Sequence, residues 1–413
     1  IPRAELFAVA EDTGLLPTTV EKDYVLGWVL FGIARHPVLA RWLFKGGTCL
    51  KKCYFDTYRF SEDLDFTIPS GVPYDTDPIR NGLLEVGAWV HEETGIELAP
   101  DGLEVEESVN KRGARTFMVR VTFLGPLQLA RAQRQRIRFD LTNDEVVVDQ
   151  PEPREAFHGY SDAPAIVPHI RCYTLHEIVA EKVRALVERV GRARDVYDVV
   201  NVGRNLRAEV SRERLQEIVA DKFAFKALGV PNVDAILAGI DQQVFAADWS
   251  NALRHQLVVL PPAEEFAAAL REVLEWLLEP AKPVPALPSV PARAGEILVS
   301  PVRFGRPATA GAVGRGAPVR AAAAAVEIYG SRMDRVRFAA RNRLLARVAY
   351  HGVARLVEPY SLRMPKTGNL LLYVFEVARG SGPGDGIKAF KVAELGDVAV
   401  TDQPFREQYV VEL

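Results

Sequence analysis

Asp63 and Asp65 stand one residue apart, just downstream of a Gly46-Gly47-Thr48 turn backed by Lys51 and Lys52. Residues i and i+2 of a strand project to the same face, so the two carboxylates would point together. Carboxylates that close repel one another unless a cation sits between them. Glycine lets backbone approach an anion, and free N–H groups in such a turn can cradle phosphate oxygens. Small residues, cations and paired carboxylates are what holds a nucleoside triphosphate with a hard, oxygen-seeking ion such as Mg²⁺ or Mn²⁺. Each piece alone is weak. A lone Gly-Gly-Thr is commonly a plain turn, and a lone Asp-Leu-Asp is commonly a solvated strand end. Arg59 and Ser61 immediately before Asp63 make the combination more specific.

The element carrying Asp63 and Asp65 reads as a strand over 64–68, and Trp42 to Lys45 reads as the strand entering the glycine turn. Cys49 to Tyr54 starts a helix. Upstream, residues 4–43 are helical in pattern, with Val25, Trp28, Val29 and Ile33 on one face and Pro37 after the end. A helix over 78–95 follows, then strands over 103–107, 115–124 and 135–141. In the last of these Ile137, Phe139 and Leu141 take one face, and Arg138, Asp140 and Thr142 the other. Asp140 is therefore either a wet-face charge or a third carboxylate beside Asp63 and Asp65. The basic run Arg131, Arg134, Arg136 and Arg138 is either a solvated face or a contact for nucleic-acid phosphates.

Thr174 and Glu177 form a capping-box pattern, opening a helix whose stripe is Val179, Val183, Leu186 and Val190, with Gly191 as its stop. Lys182 lies at the stripe's margin, where its stem can pack and its ammonium can reach a cleft. Arg194 and Asp198, four apart on the next helix, would by themselves be a surface ion pair worth a few tenths of a kcal/mol.

These motifs together resemble the AbiEii/AbiGii family of toxin nucleotidyltransferases. Its GG[ST]-x-L-x-K pattern falls on Gly46, Gly47, Thr48, Leu50 and Lys52. R-x-S-x-D-x-D falls on Arg59, Ser61, Asp63 and Asp65. E-x3-E-K falls on Glu177, Glu181 and Lys182, and R-D-x-Y-D on Arg194, Asp195, Tyr197 and Asp198. The resemblance extends over about residues 20–280. It implies that Gly46, Gly47, Thr48, Arg59, Ser61 and Lys182 bind the NTP. It further implies that Asp63, Asp65 and Asp140 hold metal, and that Lys52, Lys182, Asp195 and Asp198 support catalysis. It implies a bacterial toxin of a toxin–antitoxin or phage-defence system, with an NTP substrate, a cognate antitoxin and RNA, such as the tRNA 3′ end, as acceptor. The rival readings are a protein or small molecule as acceptor and a non-catalytic sensor of nucleotide or nucleic acid. Retention of Asp63, Asp65, Asp140, Lys52 and Lys182 together argues against the sensor.

At 413 residues the chain exceeds one typical domain. The expected class is α+β: a nucleotidyltransferase-type mixed sheet with helices, a helical bundle and a small C-terminal β-barrel-like domain. The divisions are a catalytic domain over 1–165, a helical domain over 166–278 completing the site, a linker over 279–329 and a β domain over 330–413. Five prolines in 279–293 mark the linker, and 303–325 is rich in Gly, Ala and Arg. The last unit reads as short strands, VRFAA among them, and resembles a WYL-type domain with Tyr360, Arg363, Tyr373 and Lys388 as candidate ligand contacts. Leu371-Leu372-Tyr373 stands where that family's Trp-Tyr-Leu would be. A net charge of −3 gives no global attraction to nucleic acid. Cys49, Cys53 and Cys172 lack zinc-finger spacing and read as core residues. No run is long enough for a membrane span, and cytoplasm is the default expectation.

Overall fold

A computed structural model describes residues 1–55, 59–279, 287–299, 331–366 and 368–413. The proline-rich and Gly/Ala/Arg-rich stretches expected from the sequence lie largely outside the described residues. Two helices open the chain, α1 (Arg3–Thr13) and α2 (Pro17–Arg35). Pro17 stands at the first position of α2, where its missing N–H costs nothing. The body of α2 is apolar on every side, from Tyr24 to Ile33, because it is buried on every side.

Seven strands form the first sheet: β1 (Leu43–Lys45), β2 (Asp63–Thr67), β3 (Glu97–Val109), β4 (Arg115–Leu124), β5 (Arg136–Thr142), β6 (Glu152–Glu155) and β7 (His169–Cys172). Their order is β3-β4-β5-β2-β1-β7-β6. β2 runs parallel to β5 and antiparallel to β1, while β1 runs parallel to β7, so the sheet is mixed. Alternation sets its faces. Ile137, Phe139 and Leu141 are buried, as are Leu64 and Phe66, so the polar residues between them leave on the opposite side. The short α3 (Gly46–Cys49) follows β1 directly. Between β2 and β3, α4 (Thr76–Thr94) packs on the sheet.

A helical layer follows: α5 (Leu175–Glu188), α6 (Ala193–Asn205), α7 (Arg212–Phe225), α8 (Val233–Ala238), α9 (Gln242–Leu253) and α10 (Ala263–Leu278). The Thr174 hydroxyl caps α5 by accepting from the Glu177 N–H at 3.2 Å. The return half of the expected capping box is not made. The Glu177 carboxylate instead accepts from the Val148 and Asp149 N–H groups and meets Lys222 Nζ at 2.6 Å. Val190 is not in the buried stripe; it is 59% exposed. The helix ends at Glu188, Val190 takes a left-handed φ of 55°, and the Gly191 N–H returns to the Leu186 carbonyl at 2.8 Å.

The C-terminal sheet is antiparallel: β9 (Leu344–Tyr350), β10 (Val353–Met364), β11 (Leu371–Arg379), β12 (Gly382–Lys391) and β13 (Leu395–Pro404), with the short β8 (Ile297–Leu298) on the end of β10. The order β12-β11-β10-β9-β13 leaves β12 and β13 as separate edges, so the expected barrel does not close. VRFAA is not a strand either. It lies in α11 (Ser331–Asn342), where Met333, Val336, Arg337 and Ala340 are buried at helical spacing. This unit has its own apolar clusters, yet Phe338 and Leu344 join the core of the first. Tyr197 of α6 donates to Asn342 Oδ1 at 3.0 Å. None of the described helices is long and apolar enough to cross a membrane.

Candidate active site

The site is assembled at β1, β2 and β5. Register puts Lys45 opposite Asp65 across the β1–β2 pair and Asp140 opposite Asp65 across β2–β5. Asp63 lies two residues before Asp65 on the same face, opposite Arg138. Three carboxylates thus share one polar face.

Burial and the neighbouring Asp140 charge push the Asp65 carboxyl up to about 6, with Lys45 opposing and Asp63 adding to the rise. Asp140 also titrates high because it is partly buried, although the Arg138 guanidinium beside it opposes this. That guanidinium bonds Asp140 at 2.7 Å. Crowded oxygen donors with elevated proton affinity fit a hard divalent cation. Asp63 and Asp65 are the residues that could hold it, and Asp140 could join them on release from Arg138.

Gly46, Gly47 and Thr48 do not form a free turn. They begin α3 directly, and that helix widens into a π-helical stretch, Leu50–Tyr54. The Phe55 N–H reaching back to the Leu50 carbonyl at 2.8 Å closes that wider turn. The unpaired N–H groups of a helix start suit an anion. Gly46 has a φ of 78°, and a Cβ there would sit 2.2 Å from Asp65 Oδ2; a Cβ on Gly47 would sit 2.4 Å from Arg59 Nη2. Both glycines are therefore required by close approach, and Gly46 by backbone shape as well. Gly46→Ala is expected to lower stability by about 1–3 kcal/mol through the left-handed φ and the clash. It should also weaken divalent-cation binding by moving Asp65; calorimetric titration of Mn²⁺ checks this, and unchanged affinity in a folded variant would contradict it.

The rest of the glycine segment is tied to the aspartate strand. Thr48 Oγ1 bonds Ser61 Oγ at 2.9 Å and donates to the Asp63 carbonyl. Arg59 is buried and bidentate on Asp198, Nε to Oδ1 at 2.8 Å and Nη2 to Oδ2 at 2.9 Å, with Nη1 on Gln256 Oε1 at 3.0 Å. Lys182 Nζ bonds Asp195 Oδ1 at 2.9 Å and Asp198 Oδ2 at 2.8 Å. Asp198 is thus held by Arg59 and Lys182, and not in the surface ion pair with Arg194 that spacing alone would allow; Arg194 Nε approaches the Ala252 carbonyl at 3.5 Å. Burial pushes the Asp198 carboxyl up, but Arg59 and Lys182 together hold it well below the usual carboxylate range. Burial likewise works against the Lys182 charge, and Asp195 and Asp198 overcome it. The Lys182 charge is also felt at Asp65, where it weakly opposes the rise.

Lys52 is placed elsewhere. Its ammonium is fully buried on Asp23 of α2, 2.8 Å from Oδ2 and 3.0 Å from the carbonyl. The expected role at the triphosphate gives way to a buried ion pair, because the helix that begins at Gly46 turns Lys52 inward. Lys52→Met should destabilise the chain by about 3–5 kcal/mol, the cost of leaving a buried carboxylate unpaired. Chemical denaturation checks this, and a change under about 1 kcal/mol would contradict it.

Lys45 is the residue the sequence did not flag. It is 9% exposed, with Nζ 3.4 Å from Glu181 Oε1 and 3.9 Å from Glu145 Oε1. Burial lowers its proton affinity, but Glu181, Glu145 and Asp65 raise it above the ordinary lysine value. Glu181 is shared with Lys222 at 3.1 Å. Strand alternation alone would have put Lys45 on the Asp65 face had the β1–β2 pairing been known. Of the basic run, Arg131 and Arg134 pair with Asp101 and Arg138 with Asp140. In the C-terminal sheet Tyr360 bonds Glu358, Tyr373 bonds Glu296, Arg363 bonds Glu412 and Lys388 bonds Asp385, so all four are engaged within the unit.

A glycine helix start thus lies against aspartates on adjoining strands, with a buried lysine opposite. The family profile of the nucleotidyl transferase AbiEii toxins, type IV toxin–antitoxin system, matches residues 28–275, and the chain belongs to that family. Among solved structures it is similar to MenT4, a nucleotidyltransferase toxin from Mycobacterium tuberculosis H37Rv. Identity there is 20% and the TM-score 0.45, over 68% of this chain and 91% of that one. No curated protein matches. The chain is a nucleotidyltransferase of a toxin–antitoxin family, a class that works on an NTP with a divalent metal.

Proposed function

We propose that this chain transfers a nucleotidyl group from an NTP to the 3′ end of an RNA, with tRNA as the acceptor class, and that it does so as the toxin of a toxin–antitoxin pair. The observation that carries the reading is the register of Asp65, with Lys45 across one strand pair and Asp140 across the other, at the mouth of the Gly46 helix start.

In this reading the N–H groups of Gly46, Gly47 and Thr48 bind triphosphate oxygens, and the paired glycines let them come close. Asp63 and Asp65 hold the divalent cation, Mg²⁺ or Mn²⁺, and Asp140 completes the set. The cation, when bound, lowers the charge on the phosphates and favours the departing pyrophosphate. Lys182 and Lys45 face the same phosphates and offset the negative charge that grows on the leaving group. The acceptor hydroxyl oxygen forms a bond to the α-phosphorus as the bond to the pyrophosphate oxygen breaks. The hydroxyl proton goes to Asp140, whose partial burial raises its proton affinity; the Arg138 guanidinium bonded to it opposes this, so Asp140 acts once released from Arg138. Asp195 and Asp198 fix Lys182, and Arg59 fixes Asp198 beneath Gly47.

Incubating the protein with each α-labelled NTP, Mg²⁺ and total RNA tests the proposal. Label in an RNA band, removed by 3′ exonuclease, is the expected result. Label in protein would replace RNA with a polypeptide acceptor, and no label with any NTP would overturn the reading.

A further inference from the structure

Behind the glycine helix start, three thiols converge that the nucleotidyl transfer does not use. Cys49 and Cys53 lie on the helix that begins at Gly46, and Cys172 ends β7. All three are completely buried, and their sulfurs lie within 4.8 Å of one another. Sequence spacing concealed this. Cys49 and Cys53 are one helical turn apart, and only the parallel pairing of β1 with β7, which sets Phe44 opposite Cys172, brings in the third. Among the described residues no other group of three His, Cys, Asp or Glu side chains converges as closely.

Three sulfurs each about 2.3 Å from a shared Zn²⁺ would stand roughly 3.8–4.0 Å apart, a separation the cluster can meet with small movements. The donor set is all sulfur, which selects soft, thiophilic ions over Mg²⁺ or Ca²⁺. Two cations lie close by, each already paired with a carboxylate: Arg154, which donates to the Cys53 carbonyl at 3.2 Å, bonds Glu152 at 2.9 Å, and Lys52, adjacent to Cys53, bonds Asp23 at 2.8 Å. The cluster's sulfur contacts are otherwise slight: Cys172 Sγ approaches the Ile170 carbonyl at 3.5 Å. The π-helical widening over Leu50–Tyr54 falls on Cys53, and such widenings recur at functional sites.

We propose that Cys49, Cys53 and Cys172 form a closed three-thiolate site for a thiophilic d¹⁰ cation, Zn²⁺ or Cu⁺, that braces the glycine helix start from behind. Loading replaces three S–H bonds with three metal–sulfur bonds and releases three protons to solvent, so it tightens as pH rises. No electron changes hands.

The test uses the reduced full-length chain under anaerobic conditions with Cd²⁺ as the probe. A sulfur-to-cadmium charge-transfer band should saturate at one equivalent, with proton release seen by a pH indicator. Competition by Zn²⁺ and by Cu⁺ then tells which ion the site prefers. Cys172→Ala, left with two sulfur ligands, should show a diminished band and bind Cd²⁺ at least ~100-fold more weakly. An undiminished band in Cys172→Ala, or none in the wild type, would overturn the proposal. Should Cys172→Ala fail to fold, thiol counting on the wild type decides, since the chain has only these three cysteines. Cadmium must protect all three from alkylation in mild denaturant; protection of fewer than three rules the site out.

Discussion

Asp65→Asn is expected to abolish nucleotidyl transfer, by about 10³-fold or more, and to stabilise the metal-free fold near neutral pH. The two effects have one origin. Asp65 is pressed between Asp140 and Asp63 in a partly buried site and keeps its proton up to about pH 6. An aspartate in the unfolded chain loses it near pH ~4. Between those values the folded chain binds more protons than the unfolded one, so stability falls as pH rises through that window. Asparagine carries no charge and removes the fall, a gain on the order of 1–2 kcal/mol after allowance for solvent screening. The same substitution removes a cation ligand and the charge stabilisation it brings, several kcal/mol in the transition state. Denaturation in EDTA at about pH 5 and about pH 7.5, on either side of the folded-state value, gives the first quantity, and label transfer gives the second. A variant that is less stable at the higher pH would mean Asp65 is a structural carboxylate. One that transfers label at the wild-type rate would remove it from the chemistry. With saturating Mg²⁺ the pH dependence of stability should shrink, because the cation replaces the proton.

The parts of this site that were legible in the sequence are those whose partners are near in the chain or fixed by strand period. Asp63 and Asp65 follow from an i, i+2 count, and Asp140 from the alternation of Ile137, Phe139 and Leu141. The parts that were not legible depend on which strands pair. Lys45 gains its meaning from β2 on one side and from Glu181 and Glu145 on the other. Lys52, one of two lysines in a helix, could be assigned to the phosphates or to the core only once its partner Asp23 was known. VRFAA shows the ambiguity of a short apolar run. Its neighbours Met333 and Ala340 complete a helical stripe that a five-residue window does not reveal. The barrel expectation failed for a similar reason. Short strands were readable, but closure depends on pairing between β12 and β13, which are opposite edges of an open sheet.

Lys182→Met and Asp198→Asn should separate function from folding, although the two side chains touch. Lys182 is 2.9 Å from Asp195 and 2.8 Å from Asp198, and its side chain is 15% exposed. Removing its charge leaves Asp198 with the bidentate Arg59, so that carboxylate stays satisfied. Asp195 keeps a more distant guanidinium, Arg189 at 3.8 Å. The expected loss of stability is modest, about 1–2 kcal/mol. Asp198 is different. It is fully buried and carries two cations, and an asparagine in its place would leave Arg59 and Lys182 facing a neutral amide. Breaking such a buried set costs about 3–5 kcal/mol, enough to unfold much of a marginal domain. Transfer should fall in both variants, by about 10²–10³-fold in Lys182→Met if its ammonium offsets charge on the departing pyrophosphate. In that variant the loss should appear in kcat more than in the KM for NTP, since the charge it meets grows only as the bond breaks. Measuring denaturation midpoints and steady-state kinetics side by side tests the division. Equal destabilisation of both variants, or a Lys182→Met enzyme with wild-type kcat, would return Lys182 to the role of a structural counter-ion for α6.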